Sequence, residues 1–117
     1  NGDGETSRDF CYIDNAVQAN LLAATIDNNE AIDQVYNVAH NDRTSLNKLY
    51  QMLEERLIQG AKVLEKKELI YRDFRAGDVR HSQADISKAQ LLLGYKPIQT
   101  VSQGLDIYMR WFLKNNI

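Results

Sequence analysis

The groups in this 117-residue sequence best suited to holding a charged ligand are loop arginines. Arg8 follows Gly2-Asp3-Gly4-Glu5-Thr6-Ser7, and three more arginines recur through Arg72-Asp73-Phe74-Arg75-Ala76-Gly77-Asp78-Val79-Arg80-His81-Ser82. A guanidinium stays charged, and its planar fork matches two phosphate oxygens, so arginines on loops fit a diphosphate. A neighbouring carboxylate such as Asp78 can accept hydrogen bonds from a sugar diol, and Gly77 lets the backbone bend between the two. Residue types alone leave a second reading open: Arg8 with Asp9, Arg72 with Asp73 and Arg75 with Asp78 as ordinary solvated ion pairs, each contributing 0 to about 1 kcal/mol.

Other chemistries are excluded more firmly. The six glycines, at 2, 4, 60, 77, 94 and 104, form neither G-x-x-G-x-x-G, nor G-x-G-x-x-G, nor a P-loop with its lysine. None of the six tyrosines has a lysine four positions on. The Tyr-x-x-x-Lys pair, in which lysine lowers the phenol pKa so that it acts as a base, is therefore absent. Cys11 is the single cysteine and His40 and His81 the two histidines, which rules out a zinc cage and an intramolecular disulfide. Cys11 reads as a small buried apolar residue.

These groups need a frame. After the glycine-rich start, Phe10-Cys11-Tyr12-Ile13 reads as a short strand, and Asp14 as the N-cap of a helix to about Thr25 with Val17, Leu21, Leu22 and Ala24 on its apolar side. Asp27 to Glu30 is a polar connection, and Val35 to Ala39 reads as a strand ended by Asn41-Asp42. Thr44 or Ser45 can cap the longest amphipathic stretch, with Leu46, Leu49, Tyr50, Leu53 and Leu57 on one face and Gly60 as its stop. Leu69-Ile70-Tyr71 suggests another strand, while Arg72 to Gln83 has no period, and so long an irregular polar stretch invites a functional explanation. Asp85 opens a helix that Gly94 ends, and Thr100-Val101-Ser102-Gln103 matches a capping box ahead of a last helix carrying Leu105, Tyr108, Met109 and Phe112.

Four helices and two or three short strands make an α/β arrangement, α+β when taken alone, with too few strands for a doubly wound sheet. The composition, 44% apolar and 26% charged, is that of a soluble intracellular-type chain of one domain at most. A chain of this length buries roughly 65% of its unfolded surface, enough for one modest core but not for a cofactor domain and a substrate domain together. Sixteen acidic and fourteen basic residues give a net charge of −2, so no global positive field draws in nucleic acid or anionic lipid. No run approaches a membrane span, the start has no signal-peptide character, and the lack of an initiator Met suggests a natural chain that begins earlier.

Three strings in order carry a family likeness: Gly2-Asp3-Gly4 with Arg8-Asp9-Phe10-Cys11-Tyr12-Ile13-Asp14-Asn15, then Arg75-Ala76-Gly77-Asp78-Val79-Arg80-His81-Ser82, then Asp85-Ile86-Ser87-Lys88-Ala89 with Leu92-Leu93-Gly94-Tyr95-Lys96-Pro97. Together with Tyr36-Asn37-Val38-Ala39 and Arg43-Thr44-Ser45-Leu46-Asn47, they span nearly the whole chain. The sequence resembles the C-terminal, substrate-binding part of extended short-chain dehydrogenase/reductases acting on nucleotide sugars. Its nearest likeness is to the UDP-N-acetylglucosamine 4-epimerases of bacterial surface-polysaccharide pathways, Vi polysaccharide type included.

The resemblance implies that residues 1–117 form a UDP-sugar-binding lobe without the Rossmann domain, inactive alone. The parent is implied to be a cytoplasmic homodimer holding NAD through its upstream domain. The NAD would remove hydride from C4 of the sugar and return it to the other face after the 4-keto sugar has turned. Arg8 and Arg75 match positions that clasp UDP, chiefly its diphosphate; Asp78 matches the one that takes the ribose hydroxyls. Ser82 matches a position in the hexose pocket wall, where a tyrosine in UDP-galactose enzymes crowds out an N-acetyl group. Arg72 and Arg80 stay open between ligand and scaffold roles. Apolar surface left by a missing domain would favour self-association. A lobe of another NAD-dependent nucleotide-sugar dehydratase or decarboxylase, and a non-catalytic interaction module, are the alternatives.

Overall fold

Helices carry this lobe, and their ends follow local chemistry. The computed structural model describes residues 1–61 and 65–116. Helix α1 spans Ile13–Thr25, starting two residues earlier than an Asp14 cap implies. Its N-cap is Tyr12, extended at φ −64 and ψ 143, with no side-chain cap bond. Asp14 instead lies in the first turn, where the free N–H groups of the helix favour negative charge. Asn28, through its side chain, caps a short 3-10 turn, Asn29–Ala31, in the segment expected to be a plain connection.

The expected strand at 10–13 does not form, because Ile13 already belongs to α1. The strand lies just before it: β1, Ser7–Arg8, pairs antiparallel with β2, Thr44–Ser45, with Ser7 opposite Ser45 and Arg8 opposite Thr44. On its other side Ser7 forms a parallel bridge to His81; its N–H donates to the Arg80 carbonyl at 3.0 Å and its carbonyl accepts the Ser82 N–H at 3.2 Å. Val35–Ala39 and Leu69–Tyr71 form no strands. A strand needs a partner ladder, and among the described residues these runs pair with none: Val35 is 86% and Ile70 83% exposed, while Ala39 enters the core unpaired.

Helix α2, Leu46–Ala61, is capped by Ser45, whose Oγ accepts the Lys48 N–H at 3.2 Å. Gly60 lies inside α2 and does not end it; a Cβ there would run into Leu113, so it permits close approach to α4, Val101–Asn116. Helix α3, Ser87–Leu93, begins after Asp85, which accepts the Ser87 N–H at 2.9 Å, and ends at Gly94 in the left-handed region at φ 70. The capping box of α4 forms as expected: Thr100 Oγ1 accepts the Gln103 N–H at 3.2 Å and Gln103 Oε1 accepts the Thr100 N–H at 3.0 Å.

The main core joins α1, the 3-10 turn and α3 through Ala19, Ala31, Ala39, Ile86, Ala89, Leu93 and Tyr95. Alanine side chains let these backbones approach closely. Tyr95 is fully buried and donates its hydroxyl to the Ala39 carbonyl at 2.7 Å. Burial first, and then the Cys11 thiol beside it, push the Tyr95 phenol well above its ordinary pKa. The α2–α4 pair forms a second layer, tied by Arg56, whose Nε donates to Asp106 at 2.7 Å.

The molecule measures 54 × 37 × 17 Å and exposes 8499 Å². A folded monomer of this mass exposes about 6,500 Å². The excess belongs to a thin slab whose apolar residues line its surface, including Val17, Leu21 and Ile98 on one open groove. The expected class, a mostly helical α+β lobe with a few short strands, is what the chain forms; among the described residues the sheet has two strands and no helix is long and apolar enough to cross a membrane.

Candidate functional site

The three-line seam of β1, β2 and residues 80–82 positions the predicted ligand groups. Arg8 leaves β1 with its guanidinium held at two points: Nη1 donates to the Ser7 carbonyl at 2.8 Å and Nη2 to Asp78 Oδ1 at 2.7 Å. The side chains of this ion pair are 31% and 42% exposed, so water screens it and its own contribution to stability is under about 1 kcal/mol. Asp78 is delivered by a turn in which its N–H donates to the Arg75 carbonyl at 3.3 Å. Gly77 makes that turn at φ 78; nothing lies within 4 Å of a Cβ there, so the backbone, not space, requires glycine.

Arg75 stands exposed at the start of this turn, and among the described residues its side chain makes no ion pair. The local pair of Arg75 with Asp78 is therefore not formed, since Asp78 turns to Arg8, 70 positions away. Ser82 sits beside β1 and lines, with Arg8, Asp9, Asn37, Val38 and Asp85, an open cavity of about 430 Å³. The fold thus brings Arg8 to Asp78 and Arg8 to the Ser82 cavity. Arg75 shares the turn with Asp78 and does not line that cavity.

Arg80 resolves as scaffold. It grips Asp3 with both terminal nitrogens, at 2.6 and 2.7 Å, and lies 5.3 Å over the Phe74 ring. The Arg80 guanidinium, helped by the Glu5 N–H, holds the Asp3 carboxyl well below the usual carboxylate range. Arg72 contributes its carbonyl to the Gly2 N–H at 2.6 Å.

Two residues carry more of the site than their types announce. Asp9 collects three backbone N–H groups, from His40, Asn41 and Ala84, each at 3.0 Å, and so fixes two walls of the cavity against β1. The sequence pairs it with Arg8, yet successive residues of an extended chain point to opposite faces, and that alternation was the available signal. Ser7, 6% exposed, places its Oγ 2.7 Å from His81 Nδ1 and steadies the line leading to Ser82.

What the arrangement can do is bind. Among the described residues there is no metal-holding cluster. Among the described residues, the glycine-rich start does not offer a dinucleotide cradle either. Gly2 and Gly4 take φ 74 and 78, but a Cβ at Gly2 would run into Phe74 and one at Gly4 into Asn47, so protein side chains already fill the space a phosphate cradle would need. No hydride step is assigned to these residues.

Comparison with known proteins gives the chain a family and a fold. Residues 1–108 match the family model described as GDP-mannose 4,6 dehydratase. The UDP-glucose 4-epimerase of Thermotoga maritima, solved with UDP-glucose, is 36% identical and superposes with a TM-score of 0.81 over 97% of this chain and 33% of that one. The UDP-N-acetylglucosamine 4-epimerase of Methanobrevibacter ruminantium, solved with UDP-N-acetylmuramic acid, is 33% identical with a TM-score of 0.78, again over 97% of this chain and 33% of that one. The UDP-glucuronic acid 4-epimerase of Bacillus cereus, solved with UDP-glucuronic acid and NAD, is 28% identical with a TM-score of 0.77 over 99% of this chain and 34% of that one. The chain spans about a third of the length of the curated relatives it matches. With its family match, its fold and its ordered motifs in agreement, the chain belongs to the GDP-mannose 4,6 dehydratase family of extended short-chain dehydrogenase/reductases and corresponds to their C-terminal lobe.

Proposed function

We propose that this lobe holds the UDP moiety of the substrate in an NAD-dependent UDP-N-acetylglucosamine/UDP-N-acetylgalactosamine 4-epimerase serving surface-polysaccharide synthesis. The observation that carries the reading is that Arg8, which lines the same cavity as Ser82, meets Asp78 at 2.7 Å. Arg8 and Arg75 take the diphosphate, Asp78 the ribose hydroxyls, and Ser82 stands in the hexose wall. A sugar that must turn over between two hydride transfers cannot be gripped at the hexose, so binding energy is best placed in the nucleotide that stays still. Serine at 82 leaves volume for an N-acetyl group, which admits acetylated sugars by steric permission.

NAD is proposed for the intact enzyme on the strength of the Bacillus cereus neighbour, with the cytoplasm, where nucleotide sugars are made, as its compartment and a homodimer as its state. The lobe alone transfers no hydride. A 4,6-dehydratase parent is the second reading, favoured by the description of the matched family. Calorimetric titration of this chain with UDP tests the binding role: millimolar or tighter affinity, lost in Arg75→Ala, supports it, and binding that Arg75→Ala leaves unchanged overturns it.

A further inference from the structure

Arg8 and Asp78 are the point at which the proposed diphosphate and ribose subsites touch. The Asp78 carboxylate commits Oδ1 to Arg8, which leaves Oδ2 to accept a hydroxyl. A guanidinium has about five N–H donors, and Arg8 commits one each to the Ser7 carbonyl and Asp78, leaving the rest for phosphate oxygens. The loop bearing Asp78 is pinned at one end by the Gly2 N–H on the Arg72 carbonyl and at the other by Arg80 on Asp3. Between those pins, among the described residues, the Arg8–Asp78 pair is the side-chain tie to β1. Asp9, the other carboxylate beside Arg8, is occupied by three backbone N–H groups and does not compete for the guanidinium.

We propose that the Arg8–Asp78 ion pair couples the two subsites and selects a nucleoside diphosphate over a bare diphosphate. Arg8 aims Asp78 at the ribose, and Asp78 offsets part of the Arg8 charge, so that a ligand supplying phosphate alone is held back. The inference rests on the UDP-holding reading given above. It makes Asp78 a determinant whose loss has opposite signs for two ligands, which a merely structural residue would not show.

The test is calorimetry of the whole chain with UDP and with inorganic pyrophosphate, for wild type, Asp78→Asn, Arg8→Lys and the double variant. Removing the Asp78 charge at a screened site should tighten pyrophosphate by roughly three-fold to five-fold, while UDP weakens by a similar factor. Lysine keeps the charge but not the fork, so Arg8→Lys should narrow the preference for UDP over pyrophosphate, and the double variant should lose less UDP affinity than the product of the single losses. Weaker or unchanged pyrophosphate binding in Asp78→Asn, or losses that multiply without coupling, would overturn the proposal while wild-type UDP binding stands. Wild type that binds no UDP overturns the UDP-holding reading, and this inference with it.

Discussion

In the proposed function, Ser82 is the one side chain that sets which sugars the site accepts. Its backbone is fixed by the Ser7 carbonyl, so replacing it changes volume without moving the wall. In the intact enzyme Ser82→Tyr should abolish turnover of UDP-N-acetyl sugars while sparing UDP-galactose; a steady-state comparison of the two substrates checks this, and unchanged N-acetyl turnover counts against the assignment. Asn15 is the opposite kind of residue. It is 1% exposed and bonds the Ile98 N–H at 2.9 Å, the Gln99 N–H at 3.2 Å and the Gln99 carbonyl at 2.8 Å. Asn15→Ala strands those groups and should cost about 3 kcal/mol in urea denaturation. Tyr95 adds a pH dependence with a definite sign. Its folded-state pKa lies above the unfolded value of about 10, so the native state keeps a proton that the unfolded chain gives up. The Tyr95 contribution to stability should be level below pH about 10 and fall as the pH rises beyond it. Urea midpoints across that range check the fall, which Tyr95→Phe should reduce.

At the scale of elements, helices were legible and strands were not, for a physical reason. The stripe of Leu46, Leu49, Leu53 and Leu57 and the Thr100–Gln103 box are local patterns, and α2 and α4 follow them. Strands depend on partners far away in sequence: β1 forms at Ser7–Arg8, polar as it is, because Thr44–Ser45 and residues 80–82 flank it. The more apolar Val35–Ala39 has no such neighbour and forms none. The sequence named Arg8, Arg75, Asp78 and Ser82 as candidates; the fold joins Arg8 to Asp78 and brings Arg8 and Ser82 to one cavity, leaving Arg75 apart, whereas Asp9 and the partner choice of Asp78 depend on contacts across the fold. Gly104 shows the same limit. On α4 it faces Tyr12 at the start of α1, where an added Cβ would meet the ring at 2.6 Å. Gly104→Ala, which helix propensity alone would favour by about 1 kcal/mol, should therefore destabilise by about 1 to 3 kcal/mol in thermal or urea unfolding.

The whole molecule is thinner and more exposed than its mass calls for. About 2,000 Å² of surface beyond the monomer norm is more than twice the roughly 800 Å² that each partner buries in a standard protein–protein interface. Ile13, Val17 and Leu21, 63%, 46% and 61% exposed, repeat along one side of α1 beside Ile98 and make an apolar strip. The chain alone should associate through it, with a sedimentation coefficient that rises with concentration and a Leu21→Glu variant that stays monomeric; concentration-independent sedimentation of wild type would contradict this. A mild net charge of −2 does not oppose an anionic ligand, because placed arginines act locally where a surface field does not. The proposed UDP site is the rim formed by β1 and the 75–82 segment. Amide chemical-shift mapping of the labelled chain during a UDP titration tests it most directly. Saturable shifts are expected at Arg8, Arg75 to Asp78 and Ser82 with α2 and α4 unmoved; shifts confined to the α2–α4 layer, or none at millimolar UDP, would rule out UDP binding at this rim.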